Sequence, residues 1–168
     1  MPLVETGTPS PAPYVRVADD EALPDGAVIV SAERLLAESE TLRARNGDLG
    51  VLWPNDRDVA ELEPFLPRLN LVALDFPKYR DGRAFSQARL LRERYGFKGQ
   101  LRATGNVLRD QLLMMSRSGF DAYEIDKDAD AAAFSEALKS YSVFYQPTGD
   151  GRPTIRGLRA ALRGKEKA

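Results

Sequence analysis

The chain has 168 residues, 43% of them hydrophobic and 29% charged, with a formal net charge of −1, the balance of one soluble globular domain with tails. It contains no cysteine and no histidine, which excludes disulfides, thiolate nucleophiles, Cys-ligated zinc, Cys-held iron–sulfur clusters, Ser-His-Asp chemistry and histidine-ligated haem. No apolar run approaches the ~20 residues of a membrane-spanning helix and the N-terminus lacks a signal-peptide layout, so a cytoplasmic location with no membrane partner is expected.

Residues 1–13 hold four prolines with Ser, Thr and Gly and read as a flexible leader to a single α/β domain over 14–146. Tyr14–Val17 suits a short edge strand before the acidic turn from Asp19 to Asp25. Ala27–Val30 is an apolar strand, and Ser31 can cap a helix from Ala32 to about Leu42. Gly50–Trp53 is a second strand, ended by Pro54. Asp56 can then cap a helix with Val59, Leu62, Leu66 and Leu69 on one face. The third strand, Leu71–Phe76, stops at Pro77.

After the loop KYRDGR a helix carries Ala84, Ala88, Leu91 and Tyr95 along one stripe. Gln100–Thr104 is the fourth strand, leading through Gly105-Asn106 to a helix with Leu108, Leu112 and Met115. Ser118-Gly119 ends that helix, and Asp121–Ile125 forms the fifth strand. Asp126 or Asp128 can cap a last helix with Phe134, Ala137, Leu138 and Tyr141 inward. Residues 147–168 are Pro/Gly-rich and then basic, a mobile tail in which Ile155, Leu158 and Leu162 could line a short helix. Strands spaced by single helices require parallel pairing with right-handed crossovers. The expected class is α/β, with five parallel strands alternating with helices, as an open doubly wound sheet or a partial (β/α) barrel.

Charge is unevenly spread. Between Lys78 and Arg109 there are nine Lys/Arg against Asp81 and Glu93, a net +7, leaving 15 Lys/Arg and 23 Asp/Glu elsewhere, a net −8. Such asymmetry directs a field toward an anion or an acidic surface. Arg89, Arg92 and Arg94 lie on a helix and read mainly as solvated charges.

Core strands of a parallel sheet should be nearly continuous in apolar residues, yet strand three carries Asp75, strand four Arg102 and Thr104, and strand five Glu124. Alternation puts Arg102 and Thr104 on one face, where Arg102 could sit between the carboxylates of Asp75 and Glu124, since a buried charge demands a partner. Carboxyl ends of such strands are where α/β folds assemble ligand sites. Lys78, Arg80 and Arg83 leave the same end of strand three, with Gly82 able to take a positive φ and Asp81 able to cap the next helix. Arg109 can contribute from the neighbouring loop. The expected anion site is Lys78, Arg80, Gly82, Arg83, Arg102, Thr104 and Arg109, with Asp75, Asp110 and Glu124 as candidates for proton transfer and no metal. Neither GxGxxG nor GxxxxGK[ST] is present, so no cofactor is evident. A sequence pI of 5.6 lies below the basic footprint of a nucleic-acid domain, so nucleic acid is not an expected partner.

Three stretches carry a family resemblance: Phe76-Pro-Lys-Tyr-Arg-Asp-Gly-Arg83, the run from Ser86 to Phe97 (SQARLLRERYGF), and Gly99-Gln-Leu-Arg-Ala-Thr-Gly105 continuing into Val107-Leu-Arg-Asp-Gln111 and Gly119-Phe-Asp-Ala-Tyr-Glu124. Together they resemble the bacterial domain-of-unknown-function family nine-three-four, with weaker similarity from about Val15. The resemblance implies an oxidoreductase component connected with sulfite reduction and sulfur assimilation. It implies no catalytic residues, and Asn106 departs from the Asp associated with the family. The expected function is an accessory protein of assimilatory sulfite reduction, binding an oxyanion, or docking sulfite reductase or an acidic electron carrier, through the cationic strand-end site. The alternative is a small cytosolic enzyme acting on an anionic sulfo or phospho metabolite by carboxylate and lysine acid–base chemistry. Leu112, Leu113, Met114 and Met115 offer more apolar surface than one helix face needs, which suits a homodimer.

Overall fold

A computed structural model describes residues 3–5, 13–125, 136, 143–148 and 152–165. The strands are β1 (Leu3–Glu5), β2 (Val15–Arg16), β3 (Val28–Ser31), β4 (Leu49–Trp53), β5 (Leu71–Phe76), β6 (Gln100–Gly105) and β7 (Ala122–Glu124). They form one sheet in the order β1-β7-β6-β5-β4-β3-β2. All neighbours are parallel except β1, which pairs antiparallel with β7. The sheet thus has seven strands rather than five. Val15–Arg16 is the suspected edge strand, and Leu3–Glu5 is a strand within the segment read as a leader, held because Val4 is buried against the core.

Strand order decides between the two expected architectures. From β2 to β7 each strand is added on the same side of its predecessor, so right-handed crossovers all fall on one face. A doubly wound sheet needs a point where the order reverses, and there is none. The burial pattern agrees. Val28, Val30, Val51, Trp53, Val72, Leu74, Leu101, Ala103 and Tyr123 share one core with the helix residues Leu35, Leu42, Ala88, Leu91, Leu112 and Met115. The opposite side chains Ile29, Leu71 and Ala73 form a separate small cluster without helices, joined by Tyr14 and Leu52.

That second face is concave. Arg16 on β2 reaches Glu124 on β7 at 2.5 Å, although in a flat sheet those strands would stand ~24 Å apart at ~4.8 Å per strand, far beyond two side chains. The sheet therefore curls into a half-barrel and brings its two ends together.

The helices are shorter than the sequence pattern suggests. Ala32–Leu42 divides into α1 (Ala32–Ala37), capped by Ser31 accepting from the Arg34 amide, and α2 (Ser39–Ala44), with Glu38 out of helical geometry between them. After β4 there is only a 3₁₀ turn, Val59–Leu62, capped by Asp58 rather than Asp56, because Pro64 and Pro67 deny an α-helix its donors. Then α3 (Arg83–Arg89) runs into a π-helical turn, Leu90–Arg94. A 3₁₀ turn, Arg109–Gln111, precedes α4 (Leu112–Ser118), which ends on Gly119 at φ 108°. Part of the segment read as a mobile tail is helical, α5 (Ile155–Lys165). Of the expected helix around Phe134–Tyr141 only Glu136 is among the described residues, in helical conformation. Of the apolar run on α4, Leu112 and Met115 are buried, Leu113 is half-buried and Met114 is exposed. Among the described residues no helix is long and apolar enough to cross a membrane.

Arg92 corrects the reading of the helix arginines as solvent charges. It is largely buried and donates to the carbonyls of Phe97, Gly99 and Gly119, and it pairs with Asp121. These bonds tie the end of the α3 segment to the starts of β6 and β7. Arg89 does face solvent, paired with Glu93, while Arg94 lies over the Tyr95 ring.

Candidate functional site

Alternation places Gln100, Arg102 and Thr104 of β6 on the concave face, in register with Leu71, Ala73 and Asp75 of β5. Arg102 is also opposite Ala122, so Glu124 stands beside Thr104. Arg16 enters from the far edge. It donates to Thr104 Oγ1 at 2.8 Å and to Glu124 Oε2 at 2.5 Å, and the Thr104 hydroxyl donates to the same Oε2 at 2.6 Å. Arg102 Nη1 lies 3.5 Å from Glu124 Oε1, while its Nε and Nη2 donate to Gln100 Oε1 at 3.1 and 2.8 Å. Gln100 passes its amide to Glu5 Oε1 at 2.7 Å, which ties β1 into the network. The Tyr14 ring covers Arg102 at 5.6 Å.

Arg102 and Glu124 are nearly sealed, at 7% and 10% side-chain exposure, whereas Arg16 is 47% exposed. Burial pushes the Arg102 guanidinium below its ordinary pKa and Glu124 pushes it back. One carboxylate shared by two arginines and a hydroxyl offsets a desolvation that would cost several kcal/mol for an isolated ion.

The sequence places Arg102 between Asp75 and Glu124, and the structure grants half of this. Arg102 meets Glu124 but not Asp75, because in register it sits beside Ala73, one inward-facing position below. The cation that acts on Asp75 is Arg16. Asp75 is half-buried, and burial raises its pKa above the usual carboxylate value, opposed by Arg16 and by the Phe76 amide. Its carboxylate lies against the Gly105 backbone: a Cβ there would meet Asp75 Oδ1 and the Phe76 carbonyl at 2.6 Å, and Gly105 has φ 84°. That position tolerates only glycine without rearrangement.

The rim is made by the loops after β5 and β6. Gln111 Nε2 donates to the Tyr79 carbonyl at 2.8 Å, and the Asn106 amide donates to the Phe76 carbonyl at 2.7 Å. These bonds hold the Lys78–Arg80 segment beside the Arg109 turn. Lys78, Arg80 and Arg109 are exposed, and among the described residues none has a carboxylate partner. Arg80 donates to the Tyr79 hydroxyl at 2.8 Å and lies over its ring.

Arg83 differs. Its guanidinium grips Asp81 at 2.7 and 3.0 Å, and that bond holds the Asp81 carboxyl well below the usual range. Gly82 has φ −86°, so it needs no glycine-only conformation, and the N-cap of α3 falls on it rather than on Asp81. Asp110 is exposed in the 3₁₀ turn, apart from Asp75 and Glu124 on the strands.

Four members of the inner network were not singled out from the sequence: Arg16, Tyr14, Gln100 and Glu5. A signal existed for three. Alternation in Tyr14-Val15-Arg16-Val17 and in Gln100-Leu-Arg-Ala-Thr104 puts each polar residue on the face opposite the valines, leucine and alanine. Only the curl of the sheet, which is not local, brings the two strands together. Among the described residues no group of three Asp or Glu side chains is placed to hold a metal ion.

The model of a bacterial protein family of unknown function, DUF934, matches residues 50–155, a span that runs from the second residue of β4 through β7 and includes both rim loops. The chain belongs to that family. The matched segment carries Asp75, Arg102, Thr104, Glu124 and the cationic loops, whereas Arg16 on β2 and Tyr14 just before that strand precede it. No curated protein and no solved structure matches the chain.

Proposed function

We propose that the protein binds a small tetrahedral or pyramidal oxyanion at the carboxyl ends of β5 and β6, as an accessory component of assimilatory sulfite reduction. The observation that carries the binding is the rim itself. Among the described residues, Lys78, Arg80 and Arg109 have no carboxylate partner, and they stand on two loops tied by Gln111. An oxyanion supplies what those cations lack, and guanidinium groups suit its geometry. The sulfur setting comes from the family resemblance. Without cysteine or histidine, multi-electron reduction of sulfite would fall to the reductase rather than to this chain. The same rim could meet an acidic carrier under electrostatic steering.

Titration calorimetry with sulfite, sulfate and phosphate tests this. Binding should weaken by about tenfold in Lys78→Glu/Arg80→Glu and fall with ionic strength. Unchanged affinity in the double variant rejects the site.

A second reading has one observation in its favour. Asp75, whose pKa burial raises, and Glu124 share the inner face near the rim, and a carboxyl that holds its proton more tightly than usual can exchange it with an anionic substrate. That reading is a small acid–base enzyme acting on a sulfo or phospho metabolite. It requires Asp75→Asn to abolish turnover while oxyanion affinity survives.

A further inference from the structure

The C-terminal segment carries a second cationic surface, away from the strand-end rim. Its base is fixed to the domain. Phe144 is buried and bridges to Thr154, the Arg117 guanidinium covers the Phe144 ring at 4.1 Å and donates to the Gln146 carbonyl at 2.5 Å, and Arg152 donates to Ser116 Oγ at 3.0 Å. Between the 145–147 segment and α5 lies an open groove of about 510 Å³.

Arg156, Arg159 and Arg163 line the groove together with Tyr145. They follow the i, i+3, i+7 spacing of one helix face, over ~10 Å of axis at 1.5 Å per residue. None of the three has a carboxylate partner among the described residues. Tyr145, at 81% exposure, and Pro147 on one side and Ile155 and Ala160 on the other give the groove its apolar lining, while Leu158 and Leu162 are exposed on the adjoining helix face outside it.

Charge and apolarity side by side select the occupant. We infer that this groove docks an acidic amphipathic helix of another protein, with Asp/Glu side chains meeting the arginines and apolar side chains covering Tyr145 and Ile155. Phosphates would pair with the arginines but leave Tyr145 and Ile155 in water. A long nucleic acid leaving the groove would also meet a chain whose net charge is −1 despite the arginines. A membrane surface is nearly flat and cannot enter the groove, and three aliphatic side chains are a small anchor. A helix laid in a groove is an established mode of recognition, with apolar anchors at helical spacing and complementary charge giving orientation.

The test uses the full chain and a fluorescent 14-residue peptide with Glu and Leu arranged on opposite helix faces. A scrambled peptide of the same composition, a single-stranded RNA and phosphatidylglycerol vesicles serve as competing probes. The amphipathic peptide should bind about tenfold tighter than the scrambled one. Arg156→Glu/Arg159→Glu/Arg163→Glu should abolish this binding, Arg159→Gln alone should weaken it severalfold, and Tyr145→Ala/Ile155→Ala should reduce it with the charge intact. Lys78→Glu/Arg80→Glu should leave it unchanged. Equal binding of the scrambled peptide, preference for RNA or vesicles, or no peptide binding would overturn the inference.

Discussion

Inside the half-barrel Arg16 and Arg102 share Glu124, with Thr104 completing Arg16 and Gln100 completing Arg102, whereas Lys78, Arg80 and Arg109 on the rim meet no carboxylate among the described residues. Arg102 on β6 and the rim loops after β5 and β6 belong to neighbouring strands, so position along the sheet does not distinguish the two groups. Satisfaction of charge does. Inside, water is scarce and every ion must be answered by the protein, which makes the network a constraint on how the sheet closes. Outside, water answers the cations cheaply and leaves them free to exchange it for an anion. Loss of an inner partner should therefore read out in stability, and loss of a rim cation in binding.

The largest expected effect is at Glu124. Glu124→Gln keeps the shape but leaves Arg102 buried without a counter-charge, and should lower unfolding stability by about 3 kcal/mol in a urea titration. An unchanged midpoint would mean that the inner network does not hold the sheet ends together. Arg92→Ala comes next. It removes a guanidinium that serves three carbonyls and Asp121, and about 2 kcal/mol should be lost, with Arg94→Ala as the near-neutral control.

Asp75→Asn should act in the opposite direction. Burial raises the folded-state pKa of Asp75, so the folded protein holds this proton more tightly than the unfolded chain. The resulting stability is present below the ordinary carboxylate value of about 3.9 and is lost as pH rises through the raised folded value. The Asn variant should therefore melt higher than the parent at pH 7, and the difference should shrink as pH falls through that window. A difference that grows toward acid would contradict the burial argument. The smallest stability effect belongs to the rim, where Lys78→Glu/Arg80→Glu should stay within about 0.5 kcal/mol of the parent.

Much of this comparison was legible from residue order. The five central strands follow from apolar runs closed by Pro54, Pro77 and Gly105, and polar residues at Asp75, Arg102, Thr104 and Glu124 mark the inner face because alternation is local. Arg102 meeting Glu124 follows from strand adjacency. What could not be read depends on distance in the chain. Arg16 reaches Glu124 only because the sheet curls, and curling is a property of all the crossovers together. Leu3–Glu5 is too short to announce itself and takes its structure from the edge of β7. The break at Glu38 and the 3₁₀ turn before Pro64 are local departures within patterns whose spacing is still helical. Arg92 looks like any helix arginine until the turns at Phe97, Gly99 and Gly119 fold beneath it.

In the proposed reading the rim cations, which meet no carboxylate among the described residues, receive an oxyanion, and the inner arginines do not. A crystal of the protein soaked with sulfite tests it most directly. The account predicts an anion within hydrogen-bonding reach of Lys78, Arg80 and Arg109, with the Arg16–Glu124 and Arg102–Glu124 pairs intact. An anion that displaces Glu124 from the inner arginines, or a rim that stays empty at saturating sulfite, would contradict it.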